Sequence, residues 1–350
     1  MYAAGVPETG WNLFIMNHRT RLDWYYIWLA FLKSTNAFRM AQMFKIVLKS
    51  SLSKIPGYGW SMQMSRFLFL ERNWERDKEH LDTYSSMVID HGAPHSILIF
   101  PEGTDYEPNS LLSSHSFARK NNLPAYDYVL HPRITGTVHL MQQLIAGKSL
   151  ERVVNITAYY PDLIPENELY VLLGKVPKEV WYFVDIIELE DIPGVGDDDS
   201  EGKSSEQIGE WLKKLWEEKE ELLKTLYEGP SDEKSINDHK HQNGTSEETA
   251  DNVGVAAKKR TDEAALSSLR DRFVEHNLVS QLSGIHYALF IWWSIFSVLA
   301  VYVFSVSLPA QLIALIVVSV TVFVNIKYGD WDYLEMHLHK KRMKEQQKPL

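Results

Sequence analysis

Short apolar runs alternate with amphipathic stretches over the first 190 residues. Five runs have the length and composition of buried strands: Asn12–Met16, Arg66–Glu71, Ser96–Phe100, Val153–Tyr160 and Val180–Leu189. Four stretches have helical spacing of apolar residues: Leu22–Lys33, Phe44–Leu52, Asp77–His91 and Gly136–Ala146. This alternation predicts an α/β domain over residues 1–194, with a mixed sheet covered by helices.

Two long apolar runs near the C-terminus are typical of membrane-spanning helices. Residues 285–304 carry no charge, and residues 308–326 form a second apolar run after the short link Ser305-Val306-Ser307. Together they predict a transmembrane hairpin over 285–326, with a basic tail over 327–350. Lys and Arg residues on both flanks place both outer ends in the cytosol. The alternative is a buried helical pair of a soluble domain.

The region between these parts has two different patterns. Residues 195–228 contain an acidic, Gly-containing linker and then a helix, Ile208–Tyr227, with one strongly apolar face. That face either packs on the α/β domain, the interpretation we favour, or contacts a membrane. Residues 229–280 are a linker of acidic and basic residues. The stretch from Glu228 to Asp262 has no apolar periodicity, which favours disorder, and we expect the linker over 229–280 to be disordered.

Composition narrows the partners and the chemistry. The 350-residue chain has no cysteine, which excludes disulfides, thiolate metal sites and a cysteine nucleophile. Its formal net charge is −10, so nucleic acid is not the expected partner. Many Lys and Arg residues nevertheless lie in the N-terminal domain, where a substrate with phosphate groups would meet positive charge.

The segment Asn17–Trp24 directly follows an apolar run and carries the first candidate chemistry. It places His18 five positions before Asp23. An imidazole can take a proton from an alcohol near neutral pH, and a carboxylate on its other nitrogen would orient it. His18 is therefore a candidate general base and Asp23 its orienting acid. The alternative is a surface or capping pair without catalytic function.

A second segment, Phe100–Thr104, suits anion binding. The apolar run before it reads as a buried strand, and Pro-Glu-Gly ends that run in a tight turn with exposed backbone N–H groups. Such chain ends favour bound anions.

Taken together, these segments resemble the glycerolipid acyltransferase family, in the branch with the lysocardiolipin and lysophosphatidylinositol acyltransferases. The similarity spans roughly residues 11–228 and recurs in the C-terminal apolar pair. Besides the two segments above, it rests on Lys54–Gln63, Phe67–Arg72, Val129–Gly136 and, more loosely, Val154–Pro161.

The resemblance implies a substrate-binding set beside His18 and Asp23. Arg72, Glu102 and Gly103 take the family's phosphate-binding positions, and Thr104 adds a hydroxyl donor. Glu102 repels phosphate, so we expect it to orient Arg72 or an acceptor hydroxyl. Lys49 and Arg133 are either further phosphate contacts or ordinary surface residues.

The resemblance further implies the reaction: transfer of a fatty acyl group from acyl-CoA to the free hydroxyl of lysophosphatidic acid, lysocardiolipin or lysophosphatidylinositol. The expected partners are acyl-CoA as co-substrate, the lysophospholipid and membrane lipid, without metal or bound cofactor. The expected location is the endoplasmic reticulum membrane, in phospholipid biosynthesis.

Two departures from the family pattern keep a second hypothesis open. The usual members begin with one or two membrane segments, whereas here the histidine motif starts at residue 17, so an N-terminal membrane part is expected to be missing. Arg66 also stands where many members have glycine. The alternative is a catalytically silent, truncated membrane protein that binds lipid or a full-length partner.

Overall fold

The structure is a computed structural model that describes residues 7, 9–31, 43–55, 57–196, 203–228, 302, 305–328 and 331–346. The predicted linker over 229–280 and nearly all of the first apolar run lie outside these residues. The hairpin therefore stays a prediction.

Within the described residues, the N-terminal domain is built on a mixed sheet, as predicted, but the sheet has six strands instead of five. Its strands are β1 (Asn12–Met16), β2 (Phe44–Lys49), β3 (Leu68–Leu70), β4 (Ser96–Ile99), β5 (Arg152–Tyr159) and β6 (Trp181–Glu188), in the order β3-β2-β4-β1-β5-β6. All neighbours are parallel except β5 and β6. Because β1 lies between β4 and β5, the loops after these three strands meet at one edge of the sheet.

One of the predicted helices is wrong. We expected a helix over Phe44–Leu52, but the chain forms strand β2 followed by a short 3-10 turn over Ser50–Leu52. The apolar residues of this segment fit the spacing of a helix, but they also fit the two-residue period of a strand, as Phe44 and Ile46 show. Parallel pairing with β3 on one side and β4 on the other decides for the strand.

Seven helices accompany the sheet in the part of the N-terminal region that the structure describes. They are α1 (Asp23–Phe31), α2 (Tyr58–Met64), α3 (Trp74–His91), α4 (Pro108–Lys120), α5 (Ile134–Ala146), α6 (Glu168–Leu172) and α7 (Lys203–Glu228). The predicted helices at α1, α3, α5 and α7 are confirmed. Helices α2, α4 and α6 were not predicted from the sequence; the polar, serine-rich α4 has little apolar periodicity.

The central strand β1 is buried on both faces. Leu13 and Ile15 pack into the cluster with α3, α5 and α7, whereas Phe14 and Met16 pack into the cluster with α1. Strands covered on both faces need apolar residues at every position, which explains the unbroken run in the sequence. The layers are therefore helix, sheet and helix.

Helix α7 belongs to the core, as we favoured. Its face carrying Leu212, Trp216 and Leu223 is fully buried in the same cluster as α5. This burial removes the apolar face from membrane contact.

Near the C-terminus, an apolar helix leads into a helix that packs on the α/β domain. Helix α8 (Leu308–Tyr328) includes an 18-residue stretch, Gln311–Tyr328, that is long and apolar enough to cross a bilayer. Helix α9 (Trp331–Gln346) follows it. Its Glu335 pairs with Arg66 at 2.9 Å, and its Lys340 pairs with Glu79 at 2.7 Å. The predicted basic tail thus includes a helix packed against α2 and α3.

Candidate functional site

His18 and Asp23 are in contact between the end of β1 and the start of α1. The imidazole Nδ1 lies 3.0 Å from Asp23 Oδ2, and the His18 ring stacks on Phe100 with ring centres 4.1 Å apart. The Asp23 side chain is fully buried and that of His18 is 17% exposed. With Nδ1–H donated to the carboxylate, Nε2 keeps its lone pair and can accept a proton.

Asp23 is held by backbone and side chain together. Its Oδ2 also accepts the Thr20 N–H at 3.0 Å, and its Oδ1 accepts the Tyr160 hydroxyl at 2.6 Å. The loop itself is pinned to β5, because the Asn17 side chain exchanges two hydrogen bonds with the Ala158 backbone, at 2.7 and 3.2 Å. The sequence alone gives no sign of this role of Tyr160, since its position beside Asp23 comes from strand order.

Glu102 supports the histidine loop, whereas a role in orienting Arg72 or an acceptor hydroxyl stays a prediction. Its Oε1 accepts the backbone N–H of His18 at 3.2 Å and the Trp216 indole N–H at 3.3 Å. The side chain is 3% exposed, and this burial raises its pKa to about 7. The reason is strand pairing: β1 and β4 are neighbours, so the turn after β4 lies against the loop after β1.

Lys219 on α7 is a second buried ionisable residue of the site, and it was not predicted from the sequence. Its Nζ donates to the Ile156 carbonyl oxygen at 2.6 Å and to Thr157 Oγ1 at 3.1 Å. Burial lowers its pKa to about 7, although the charge of Glu102 opposes the shift. A signal was present in the sequence: Lys219 lies on the apolar face of α7, between Trp216 and Leu223.

Two arginines lie close together beside the Pro-Glu-Gly turn. Burial and then the positive charge of Arg133 lower the pKa of Arg72. Arg133 is tied to the turn, because its N–H donates to the Pro101 carbonyl at 2.7 Å. Arg72 adopts a left-handed backbone with φ +64°, which is uncommon for a residue other than glycine. Two guanidinium groups that repel each other would both be stabilised by a bound phosphate.

Gly103 provides space and a turn, but not a free amide. It has φ +73°, and a Cβ there would lie 3.1 Å from Arg133 Cδ. Its N–H donates to the Phe100 carbonyl at 2.9 Å. The N–H groups of His18, Thr20 and Asp23 are also bound within the protein. These four amides are therefore not open donors for an oxyanion.

The candidate residues share one cavity of about 1540 Å³. His18, Glu102, Gly103 and Thr104 line it, together with the predicted cationic residues Lys49, Arg72 and Arg133. Much of the remaining lining is apolar and includes Leu52, Ile55, Tyr58, Met62, Phe67 and Phe117. A base, a cluster of cations and an apolar wall in one space suit an amphiphile with an anionic head. Every predicted site residue except Asp23, which is buried behind His18, reaches this cavity.

Two other arginines of the motif are engaged within the protein. The Arg19 guanidinium lies over the Tyr106 ring at 4.1 Å and donates to the Tyr128 carbonyl oxygen at 3.4 Å. Arg21 pairs with Glu107 at 2.5 Å. These contacts fix the loop around His18 from its outer side.

Comparison with known proteins agrees with this geometry. Residues 4–160 match the family model described as Acyltransferase. The chain is 42% identical over 218 residues to lysocardiolipin acyltransferase 1 of Gallus gallus and 40% identical over 218 residues to that of Mus musculus; each alignment covers 62% of this chain and 54% of the relative. It is 38% identical over 226 residues to lysophosphatidylinositol acyltransferase 10 of Caenorhabditis elegans, covering 64% of this chain and 54% of the relative.

The chain thus spans about half the length of the curated relatives it matches. The part that matches the family model contains strands β1 to β5, the His18–Asp23 pair and the two arginines. Over residues 4–160 the chain is therefore similar to the acyltransferases that this family model describes, and over a longer stretch it is similar to lysophospholipid acyltransferases.

Proposed function

We propose that this protein transfers a fatty acyl group from acyl-CoA to the free hydroxyl of a lysophospholipid, with His18 as general base. The observation that carries the proposal is the 3.0 Å contact between His18 Nδ1 and the buried Asp23, in a cavity that also holds Arg72 and Arg133. The chain has no cysteine, and the reaction needs no acyl-enzyme.

In the proposed step, His18 Nε2 accepts the proton of the acceptor hydroxyl while its oxygen attacks the thioester carbonyl carbon. The C–S bond then breaks, and the proton passes from His18 to the departing thiolate of CoA. Asp23 stabilises the imidazolium that exists between these events. No bound cofactor takes part, and acyl-CoA is a co-substrate.

The arginines support an anionic acceptor. Arg72 and Arg133 would bind a phosphate through paired hydrogen bonds, with Thr104 as a further donor and Lys49 adding positive charge. Lysophosphatidic acid, lysocardiolipin and lysophosphatidylinositol all carry such a phosphate. The names of the relatives favour the last two as acceptors.

We place the protein in a membrane, with the endoplasmic reticulum as its proposed location and both flanks of the hairpin in the cytosol. The apolar helix α8 supports membrane attachment. A lysophospholipid in the same bilayer would then be within reach of the domain that α9 contacts.

The test is transfer of labelled acyl groups from acyl-CoA to a panel of lysophospholipids by the purified chain in lipid vesicles. We expect His18→Ala to abolish transfer without unfolding the protein. The matched control is His139→Ala, which removes a second His–Asp pair, His139 Nε2 to Asp82 Oδ1 at 2.6 Å, outside the cavity. Near-normal transfer by His18→Ala would contradict the mechanism. No transfer by the unaltered chain to any acceptor would favour the alternative, a silent membrane protein that binds lipid or a full-length partner.

A further inference from the structure

Tyr160 lies directly after β5, and its side chain reaches the catalytic pair from behind. Its hydroxyl donates to Asp23 Oδ1 at 2.6 Å, and both side chains are almost completely buried. We propose that Tyr160 is a positioning residue for acyl transfer: it holds the Asp23 carboxylate in the orientation in which Oδ2 faces His18. This inference rests on the proposed function, since it assigns Tyr160 a part in making His18 a base.

The two oxygens of Asp23 have separate partners. Oδ2 accepts from His18 Nδ1 and from the Thr20 N–H, each at 3.0 Å, whereas Oδ1 accepts from Tyr160. A carboxylate turns easily about its last torsion, whose preference is broad and two-fold. The hydrogen bond from Tyr160 to Oδ1 restrains this torsion on the side away from His18. The lone pairs of Oδ2 therefore stay directed at the imidazole.

Tyr160 keeps its proton, and therefore keeps donating, over the working pH range. Burial, and then the negative charge of Asp23, raises its pKa well above the usual range. The donor is thus a neutral hydroxyl, and the negative charge stays on Asp23 opposite His18. A neutral donor restrains the carboxylate without neutralising the charge that stabilises the imidazolium.

The backbone of Tyr160 is held independently of its hydroxyl. Its N–H donates to the Tyr227 hydroxyl at 3.4 Å, and β5 is tied to the histidine loop through Asn17 and Ala158. Replacing the side chain by Phe removes the hydroxyl and leaves the ring and these contacts in place. The structure therefore allows a substitution that deletes one hydrogen bond and little else.

The same buried cluster offers matched controls. Tyr26 and Tyr182 are also buried, and the charge of Asp23 also raises their pKa values after burial. Neither hydroxyl has a hydrogen-bond partner among the described residues. Among the described residues, the titratable groups around the Asp23 carboxylate are thus His18 in front and four tyrosines: Tyr26 on α1, Tyr160 directly after β5, Tyr182 on β6 and Tyr227 on α7.

The experiment compares Tyr160→Phe with Tyr182→Phe and Tyr26→Phe in the complete chain, reconstituted in lipid vesicles with acyl-CoA and lysophosphatidylinositol. Deleting a hydrogen bond to a charged group should lower kcat by roughly tenfold in Tyr160→Phe, with KM for both substrates unchanged. A carboxylate with one donor fewer holds more negative charge and favours the protonated imidazole. In a plot of kcat/KM against pH, the rising limb should therefore move to higher pH in Tyr160→Phe. The two control variants should keep the kcat and the pH dependence of the unaltered chain.

Three results would overturn the inference. The first is a kcat for Tyr160→Phe equal to that of Tyr182→Phe. The second is a loss of the same size at every pH, without movement of the rising limb. The third is a thermal unfolding temperature that falls far below that of Tyr182→Phe, because the hydroxyl would then be structural. An inactive His18→Ala together with a fully active Tyr160→Phe would reject this inference alone, whereas an active His18→Ala would reject the proposed function.

Discussion

The substitution Asp23→Asn tests the negative charge of the carboxylate, because asparagine has nearly the same shape and no charge. Asp23 Oδ2 accepts two N–H groups, from His18 and Thr20, each at 3.0 Å. In the variant, the amide oxygen must take the Oδ2 place, because an NH₂ group there would face two donors. The amide NH₂ group then faces Tyr160, whose hydroxyl can rotate and accept a hydrogen bond from it. The substitution should therefore keep the fold and the orientation of His18, and remove only the negative charge.

The size of the effect follows from this geometry. Two unit charges about 4 Å apart attract by about 4 kcal/mol at the effective dielectric constant of about 20 that suits partly buried sites. A neutral amide that still accepts the hydrogen bond retains about 1 kcal/mol of this. The remaining loss of about 3 kcal/mol falls on the step in which the imidazolium forms. It corresponds to a decrease in kcat of about 100-fold or more.

The assay is the steady-state rate of acyl transfer, with circular dichroism to verify the fold and Asp82→Asn as control. Asp82 pairs with His139 at 2.6 Å outside the cavity, so its substitution should leave kcat unchanged. A kcat for Asp23→Asn within about fivefold of the unaltered chain would refute the reasoning, because the imidazolium would then need no buried counter-charge.

Three further predictions test the surroundings of the pair. Arg72→Ala should raise KM for the phosphate-bearing substrate by about tenfold or more, whereas Arg119→Ala on the exposed side of α4 should not; equal KM values would remove Arg72 from the phosphate site. Lys219 has a pKa of about 7 in the folded state against an ordinary value of 10.5, so the unfolded chain binds more protons between these values and stability rises with pH. Lys219→Met should abolish this rise in the free energy of unfolding, which is up to about 1.4 kcal/mol per pH unit and can be measured by urea unfolding from pH 7.5 to 9.5. An unchanged dependence of this free energy on pH would contradict the prediction. Gly103→Ala should lower the free energy of unfolding by about 1–2 kcal/mol because Gly103 has a φ of +73°. Gly136→Ala in α5 should raise it by up to about 1 kcal/mol, with thermal unfolding as the measurement for both variants. An unchanged stability of Gly103→Ala would show that the turn does not require glycine.

The local parts of the site could be predicted because they depend on neighbours in the sequence. His18 and Asp23 are five positions apart across one turn, so their contact needs only the end of a strand and the start of a helix. The same holds for the tight turn at Gly103. The strand β2 was predicted as a helix because its apolar residues fit both periods, and only pairing with β3 and β4 separates the two.

The sequence by itself determined the α/β alternation, the His18–Asp23 pair and the apolar helix α8, since each of these is a pattern within one short segment. Only the tertiary structure decided that Glu102 would support the His18 loop, that Tyr160 would bind Asp23 and that Lys219 would lie buried near them. The contacts that Glu102, Tyr160 and Lys219 make there join residues 62 to 137 positions apart. They exist because the sheet places β1 between β4 and β5, and strand order depends on the packing of the whole core, not on any local pattern.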